Sequence, residues 1–168
     1  LQNPYIIAGR KTNMRIYVLV TCMHDEINVY AHQNGFMYYT KEMFKKNSLE
    51  DGPNITTGYI DRQVYVDNPL THDDLRNYLD DPNRSLSESE KVIRSQGLLI
   101  SNVYFNRIYH LLREVFMSFV GRIHKNKKFS NNLMFQLFGI DVAVDDTLQV
   151  KILEINKGPD LGAKDTRD

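Results

Sequence analysis

Apolar residues follow one another closely in several short segments of this chain, a pattern that favours β-strands. Residues 14–21 are apolar on both faces, which predicts a strand in the interior of a sheet. Residues 27–33 and 36–40 flank Asn34-Gly35, a dipeptide typical of a two-residue hairpin turn. Residues 4–8 should be extended because of Pro4, and residues 9–13 should form a basic turn. The N-terminal part is therefore predicted to form an antiparallel meander.

Helical spacing replaces this pattern further along the chain. Apolar residues recur every three or four positions over residues 98–123, which predicts one long amphipathic helix. Thr71 and Asp74 have capping-box spacing and predict a shorter helix that ends near Pro82. Residues 63–66 should be extended, and residues 85–89 resemble a linker or a helix cap. The predicted fold class is α+β, a mainly antiparallel sheet with a long packed helix.

The strongest chemical signal lies in the last pair of strands, which flank a predicted turn over residues 145–149. If Val144 faces Lys151, Asp141 lies opposite Glu154, and Asn156 falls on the same face as Glu154. Carboxylates placed opposite each other repel, so this arrangement requires a cation. Hard oxygen ligands suit Mg²⁺ or Mn²⁺. The spacing therefore predicts a divalent-metal site on the sheet.

Two alternatives fit the same residues less well. An exposed hairpin end without a function is disfavoured because Glu154 lies within the apolar run 152–155, where a lone charge is costly. A restriction-type nuclease pairs an Asp with a Glu-x-Lys strand. Here Asn156 takes the lysine position, and Lys157 lies on the other face.

A second polar group precedes the first long strand. If that strand starts early, Lys11, Asn13 and Arg15 share one face and would suit phosphate binding. A solvated strand start accounts for the same residues equally well from spacing alone. The basic run 122–128 fits a solvated helix end or attraction to an acidic partner.

Composition narrows the functional classes. Lys plus Arg equals Asp plus Glu at 21 each in 168 residues, which gives no electrostatic case for nucleic acid or membrane binding. The single Cys22 fits a reducing compartment, and no leader or membrane span is evident, so we expect a cytoplasmic protein. The five histidines are too scattered to form a metal site. The chain lacks an initial Met, which suggests a piece of a longer protein.

Three blocks together resemble the tubulin–tyrosine ligase and ligase-like family, and they span nearly the whole chain. The blocks are Asn3-Pro-Tyr-Ile-Ile-x-Gly-Arg-Lys11-x-x-x-Arg15-Ile-Tyr-Val-Leu-Val-Thr21, Phe135-x-Leu-Phe-Gly-Ile-Asp141-Val-x-Val-Asp145 and Leu153-Glu154-Ile-Asn156-x-x-Pro159. The resemblance implies that residues 1–168 are the C-terminal part of an ATP-grasp ligase-like domain, without the N-terminal part that closes over the nucleotide. A piece of this kind would be inactive alone.

The implied activity is ATP-dependent ligation of an amino acid to tubulin or another protein with an acidic tail, by glutamylation, glycylation or tyrosination. The alternatives are a degenerate module that binds nucleotide or tubulin, and a metal-dependent nuclease. Cytoskeletal association, a free amino acid as substrate, and ATP with Mg²⁺ or Mn²⁺ follow from the same resemblance.

The resemblance also implies roles for individual positions. Asp141, Glu154 and Asn156 match metal ligands, Lys11 and Arg15 match residues near the ATP phosphates, and Arg15 and Glu154 are the expected catalytic residues. The full implied nucleotide-binding set is Lys11, Asn13, Arg15, Thr56, Asp141, Leu153, Glu154 and Asn156.

The chain departs from the family pattern in three places. Asn13 replaces an Asp, and residues 54–57 keep only Thr56 of a His-Leu-Thr-Asn block. Gln33 replaces an Arg that serves the substrate, which should weaken carboxylate recognition.

Overall fold

An antiparallel sheet with helices on one face forms the architecture of the protein. The computed structural model describes residues 1–23, 26–56, 60–123 and 133–162, with the side chains of 121–123 left aside. The elements in chain order are β1 (Ile6–Ile7), β2 (Arg10–Met23), β3 (Glu26–Tyr39), α1 (Gln63–Asp67), α2 (His72–Asp80), α3 (Glu88–Ser95), α4 (Ile100–Ile123), β4 (Met134–Val144) and β5 (Val150–Lys157). The predicted α+β class is confirmed.

Strand β2 is the centre of the sheet, as its apolar sequence predicts. It pairs with β3 on one side and β4 on the other, β5 pairs with β4, and short β1 pairs with the start of β2. Met14, Ile16 and Val18 are buried in a core shared with Ile108 and Leu112 of α4. The alternate residues of β2 lie on the opposite face, which we call the open face.

The predicted hairpin turn at Asn34-Gly35 is wrong, because β3 runs through it without a break. Residues 32–34 lie between the pairs Ile16–Gly35 and Val18–Ala31, so three residues oppose one and form a bulge. Asn34 Oδ1 accepts a hydrogen bond from the His72 backbone N–H at 2.9 Å. The dipeptide therefore joins the sheet to α2 instead of reversing the chain.

Other boundaries differ from the sequence predictions in smaller ways. The predicted basic turn over residues 9–13 is strand from Arg10 onward, which satisfies the condition for Lys11 and Arg15 to share a face. Residues 63–66 are helical in α1 instead of extended. The predicted capping box begins α2 at Thr71, and the long helix α4 is confirmed. Of the two readings of residues 85–89, the helix cap is correct, because Ser87 forms a capping box with Glu90 at the start of α3. The basic run lies largely in 124–132, outside the described residues.

No helix among the described residues combines the length and the apolar character that crossing a membrane requires.

A buried ion pair fixes the end of α2 to α3. The side chains of Arg84 and Glu90 are only 10% and 2% exposed, and their closest N–O distance is 2.7 Å. Tyr5 donates a further hydrogen bond to Glu90 at 2.5 Å, and Arg84 also donates to the Leu79 carbonyl at the end of α2. Burial alone raises the pKa of Glu90, but hydrogen bonds from Arg84, Tyr5 and Ser87 outweigh it and lower the pKa below 4.5.

Substitution Glu90→Gln should destabilise the fold by at least about 3 kcal/mol, because it leaves the Arg84 charge buried without its partner. The free energy of unfolding, measured by denaturant titration, should fall as the pH drops below 4.5, because protonation of Glu90 removes the same stabilisation. That acid dependence should be weaker in the variant. Glu88→Gln removes an equal charge from a side chain that is 90% exposed and should change stability little. Equal stabilities of the two variants would contradict the role of the buried pair.

Candidate functional site

The predicted opposition of Asp141 and Glu154 is confirmed, although the assumed register was wrong. Val144 pairs with Val150, not with Lys151, so the strands begin one residue out of the expected register. Counted away from the turn, the register shifts between Val142 and Asp141. Beyond this shift, Asp141 pairs with Glu154. Leu153 is the extra residue at this irregularity and is 56% exposed. The bulge therefore restores the two carboxylates to opposite positions.

The cation beside Asp141 in the structure is the guanidinium group of Arg15. Arg15 lies opposite Asp141 on β2, and it donates from Nε to Oδ1 at 2.5 Å and from Nη2 to Oδ2 at 2.9 Å. This paired geometry is the strongest that arginine makes with a carboxylate. The hydrogen bond to Asp141 raises the pKa of Arg15, and its guanidinium carbon lies 5.9 Å from the centre of the Tyr38 ring.

Glu154 is exposed on β5, so the expectation of a costly charge inside an apolar run was wrong. Among the described strands, β5 pairs with β4 only, and the apolar neighbours of Glu154 are themselves partly exposed. Asn156 Nδ2 donates a hydrogen bond to Glu154 Oε1 at 2.8 Å. This bond lowers the pKa of Glu154, and the positive charge of Arg15 acts in the same direction. The carboxylate is thus held in its charged form next to Asp141.

Lys11 is joined to a loop that carries part of the predicted nucleotide site. Its Nζ donates to the carbonyl oxygen of Asn54 at 2.8 Å, and burial lowers its pKa. Asn54 is fixed in turn, because its Nδ2 donates to the carbonyls of Ser48 at 2.8 Å and Glu50 at 2.9 Å. Thr56 follows in the same loop and is half-buried. The loop therefore fixes the position of the lysine charge.

Asn13 lies between Lys11 and Arg15 on the same face of β2 and is only 8% exposed. Within the described part of the chain, its Oδ1 is buried without a hydrogen-bond partner. A buried carbonyl oxygen without a donor is costly, and such atoms commonly mark a place for a water, an ion or a ligand.

Gln33 lies away from these residues. It lines a cavity with Tyr109 and Leu112 between β3 and α4, on the helix-covered face of the sheet. Arg76 donates to its carbonyl oxygen at 2.9 Å. The structure thus places Gln33 on the opposite side of the sheet from Lys11 and Arg15, which lie on the open face.

The oxygen donors of Asp141, Glu154 and Asn156 fit a hard divalent cation, because two carboxylates and an amide are typical ligands of Mg²⁺. Their placement on paired strands supplies rigid support. The described residues contain no cluster of three or more His, Cys, Asp or Glu side chains suited to a metal. The candidate set accordingly depends on Asn156 as its third member.

Gly139 is a site residue that the spacing arguments missed. It pairs with Tyr17 on one side and Asn156 on the other. A Cβ atom there would lie 2.6 Å from Pro159 Cβ and 3.0 Å from Arg15 Cδ. Tyr17 completes this packing by donating from its hydroxyl to the Asp160 carbonyl at 2.9 Å. The sequence did carry a signal for this close packing, because a glycine inside a strand often marks a place where another part of the chain approaches the backbone.

Comparison with known proteins agrees with the three sequence blocks. The model of the tubulin-tyrosine ligase family matches residues 1–168. A protein named probable tubulin polyglutamylase ttll-9 of Caenorhabditis elegans is 27% identical over 169 residues, covering 100% of this chain and 37% of the relative. A protein named probable tubulin polyglutamylase TTLL9 of Bos taurus is 25% identical over 170 residues, covering 100% of this chain and 34% of the relative.

One further relative, named inactive polyglycylase TTLL10, comes from Homo sapiens and is 23% identical over 166 residues. The match covers 96% of this chain and 23% of that relative. The chain thus spans about a third of the length of the TTLL9 relatives and less of the TTLL10 relative.

Substitution Gly139→Ala should disturb the segment after β5, because the added methyl group displaces Pro159 and crowds Arg15. The expected loss of stability is about 1–3 kcal/mol. Hydrogen exchange of the Gly158 amide, which donates to the Leu137 carbonyl at 3.3 Å, should accelerate more than the loss of global stability explains.

The matched control for this substitution is Gly97→Ala. A Cβ atom at Gly97 would meet no described atom within 4 Å, and the φ of +73° costs about 1 kcal/mol of backbone strain. This variant should leave Gly158 exchange unchanged apart from the global effect. Unaltered Gly158 protection in Gly139→Ala would refute the close packing.

Proposed function

This chain belongs to the tubulin-tyrosine ligase family, and we propose that it forms the metal- and phosphate-binding part of an ATP-dependent protein–amino-acid ligase. The row of Arg15, Asp141 and Glu154 across three neighbouring strands carries this proposal. One face of the sheet thereby offers oxygen ligands for a cation and, from Arg15 and Lys11, positive charge for phosphate oxygens.

The acceptor that we propose is tubulin or another protein with an acidic tail. Support comes from the names of the TTLL9 relatives, which describe probable tubulin polyglutamylases. Glutamate is accordingly the favoured amino acid, with glycine and tyrosine as alternatives. The proposal places the protein in the cytoplasm at the cytoskeleton. It also requires a further part of the domain to close over the nucleotide, so residues 1–168 alone should be inactive.

The proposed reaction has two steps. The γ-phosphoryl group of ATP passes to an acceptor carboxylate oxygen, giving an acyl phosphate and ADP. The amino group of the incoming amino acid then attacks the acyl carbon, inorganic phosphate leaves, and the nitrogen loses a proton. Each turnover thus forms one amide bond at the expense of one ATP.

The residues of this chain would bind and orient the phosphate groups in these steps. Lys11 and Arg15 would contact phosphate oxygens, and the Asn54 carbonyl keeps Lys11 in place. Asp141, Glu154 and Asn156 would hold Mg²⁺. When bound there, the cation supplies positive charge that offsets negative charge developing on the phosphate oxygens.

A binding module without ligase activity is the second candidate function. The human TTLL10 relative bears a name that describes an inactive polyglycylase, and this chain has Gln33 where the family has an arginine. The two candidates differ in one assay, because only a ligase releases ADP in proportion to both acceptor and amino acid. The nuclease hypothesis receives no support from the family or from these relatives' names.

In the intact protein, Glu154→Gln should reduce acceptor-dependent ADP release by about 100-fold or more, because it removes a charged metal ligand. The side chain is exposed, so the fold should remain intact by circular dichroism. Glu88→Gln, an exposed charge change on α3, should retain normal turnover. Ligase activity near the normal level in Glu154→Gln would overturn the assignment.

A further inference from the structure

The three proposed metal ligands are not equally available. Glu154 is exposed and Asn156 is half-buried, but both oxygens of Asp141 accept hydrogen bonds from Arg15. The side chains of Arg15 and Asp141 are only 15% and 12% exposed. A cation that approaches from the open face therefore meets two accessible ligands and one that an internal cation already occupies.

The Arg15–Asp141 pair is built into the sheet. The two residues face each other on adjacent strands, and Gly139 leaves the space that the Arg15 side chain crosses. A guanidinium group and a divalent cation bound to the same carboxylate oxygens repel each other. The two hydrogen bonds from Arg15 therefore disfavour metal binding at Asp141 as long as both are in place.

We propose that Arg15 competes with the divalent cation for Asp141, so that the metal binds fully only when Arg15 turns to an anion. Among the described residues, Arg15 Nη1 has no hydrogen-bond partner and is available to a phosphate oxygen. Anion and metal then favour each other's binding, because each removes the competitor of the other. This inference rests on the proposed metal and phosphate site and adds a coupling between its two ligands.

The test measures Mn²⁺ binding to the full 168-residue chain by electron paramagnetic resonance, without nucleotide. Arg15→Gln should bind Mn²⁺ about tenfold more tightly than the unaltered protein, as expected when a competing charge-assisted pair is lost. Arg15→Lys keeps the charge but not the bidentate geometry, so its Mn²⁺ affinity should lie between those of Arg15→Gln and the unaltered protein. Arg113→Gln removes an equal charge from an exposed position on α4 and should leave the affinity unchanged.

The double substitution Arg15→Gln with Asp141→Asn should not show the tighter Mn²⁺ binding of Arg15→Gln, since the carboxylate that Arg15→Gln releases is then absent. Equal or weaker Mn²⁺ binding by Arg15→Gln overturns the competition but leaves the metal site standing, provided that Glu154→Gln still weakens binding. Failure of every variant to bind Mn²⁺ overturns the competition and counts against the metal assignment in the proposed function as well.

A second measurement needs no substitution and so does not depend on a variant that folds. The Nε–H group of Arg15 donates to Asp141 at 2.5 Å, and its NMR signal should exchange slowly with water. Added Mg²⁺ alone should shift this signal only weakly. When inorganic phosphate is also present, the signal should shift at a lower Mg²⁺ concentration than in its absence. An Nε–H signal that stays unchanged while the metal site fills overturns the proposal.

Discussion

Antiparallel pairing of β2, β4 and β5 places three charges in a row, and the candidate site depends on this pairing. Arg15, Asp141 and Glu154 come from positions far apart in sequence and meet because each lies opposite the next. Asp141 is therefore flanked by a cation on one side and an anion on the other. The guanidinium group offsets the repulsion between the carboxylates, so the row is stable in the absence of any ligand.

The two faces of the sheet divide structural and chemical roles. One face is buried beneath the helices, and the Arg84–Glu90 pair fixes α2 to α3. The open face carries the polar row and the loop that holds Lys11. The bulge around Asn34 links the faces, because it joins the strand next to Arg15 with the start of α2. Rigid packing behind the sheet thus supports side chains that must keep their positions in front of it.

Much of this arrangement could be predicted from the sequence, where local patterns carry the information. The apolar run in β2, the capping residue Thr71 and the apolar spacing of α4 each depend on neighbours within a few residues. The opposition of Asp141 and Glu154 was correct for an incomplete reason, because counting from the turn cannot detect the irregularity at Leu153. Asn34-Gly35 misled because tertiary contact with α2 overrides its turn preference. The Arg15–Asp141 pair was missed because it depends on which strands are neighbours.

The open face is proposed to hold a divalent cation between Asp141, Glu154 and Asn156, next to phosphate groups. A crystal structure of the protein with Mn²⁺ and a non-hydrolysable ATP analogue tests this most directly, through anomalous scattering of the metal. We predict one anomalous peak within coordination distance of these three side chains, with Lys11 and Arg15 contacting phosphate oxygens. An ordered nucleotide whose metal lies elsewhere, with Asp141 still paired to Arg15, would contradict it.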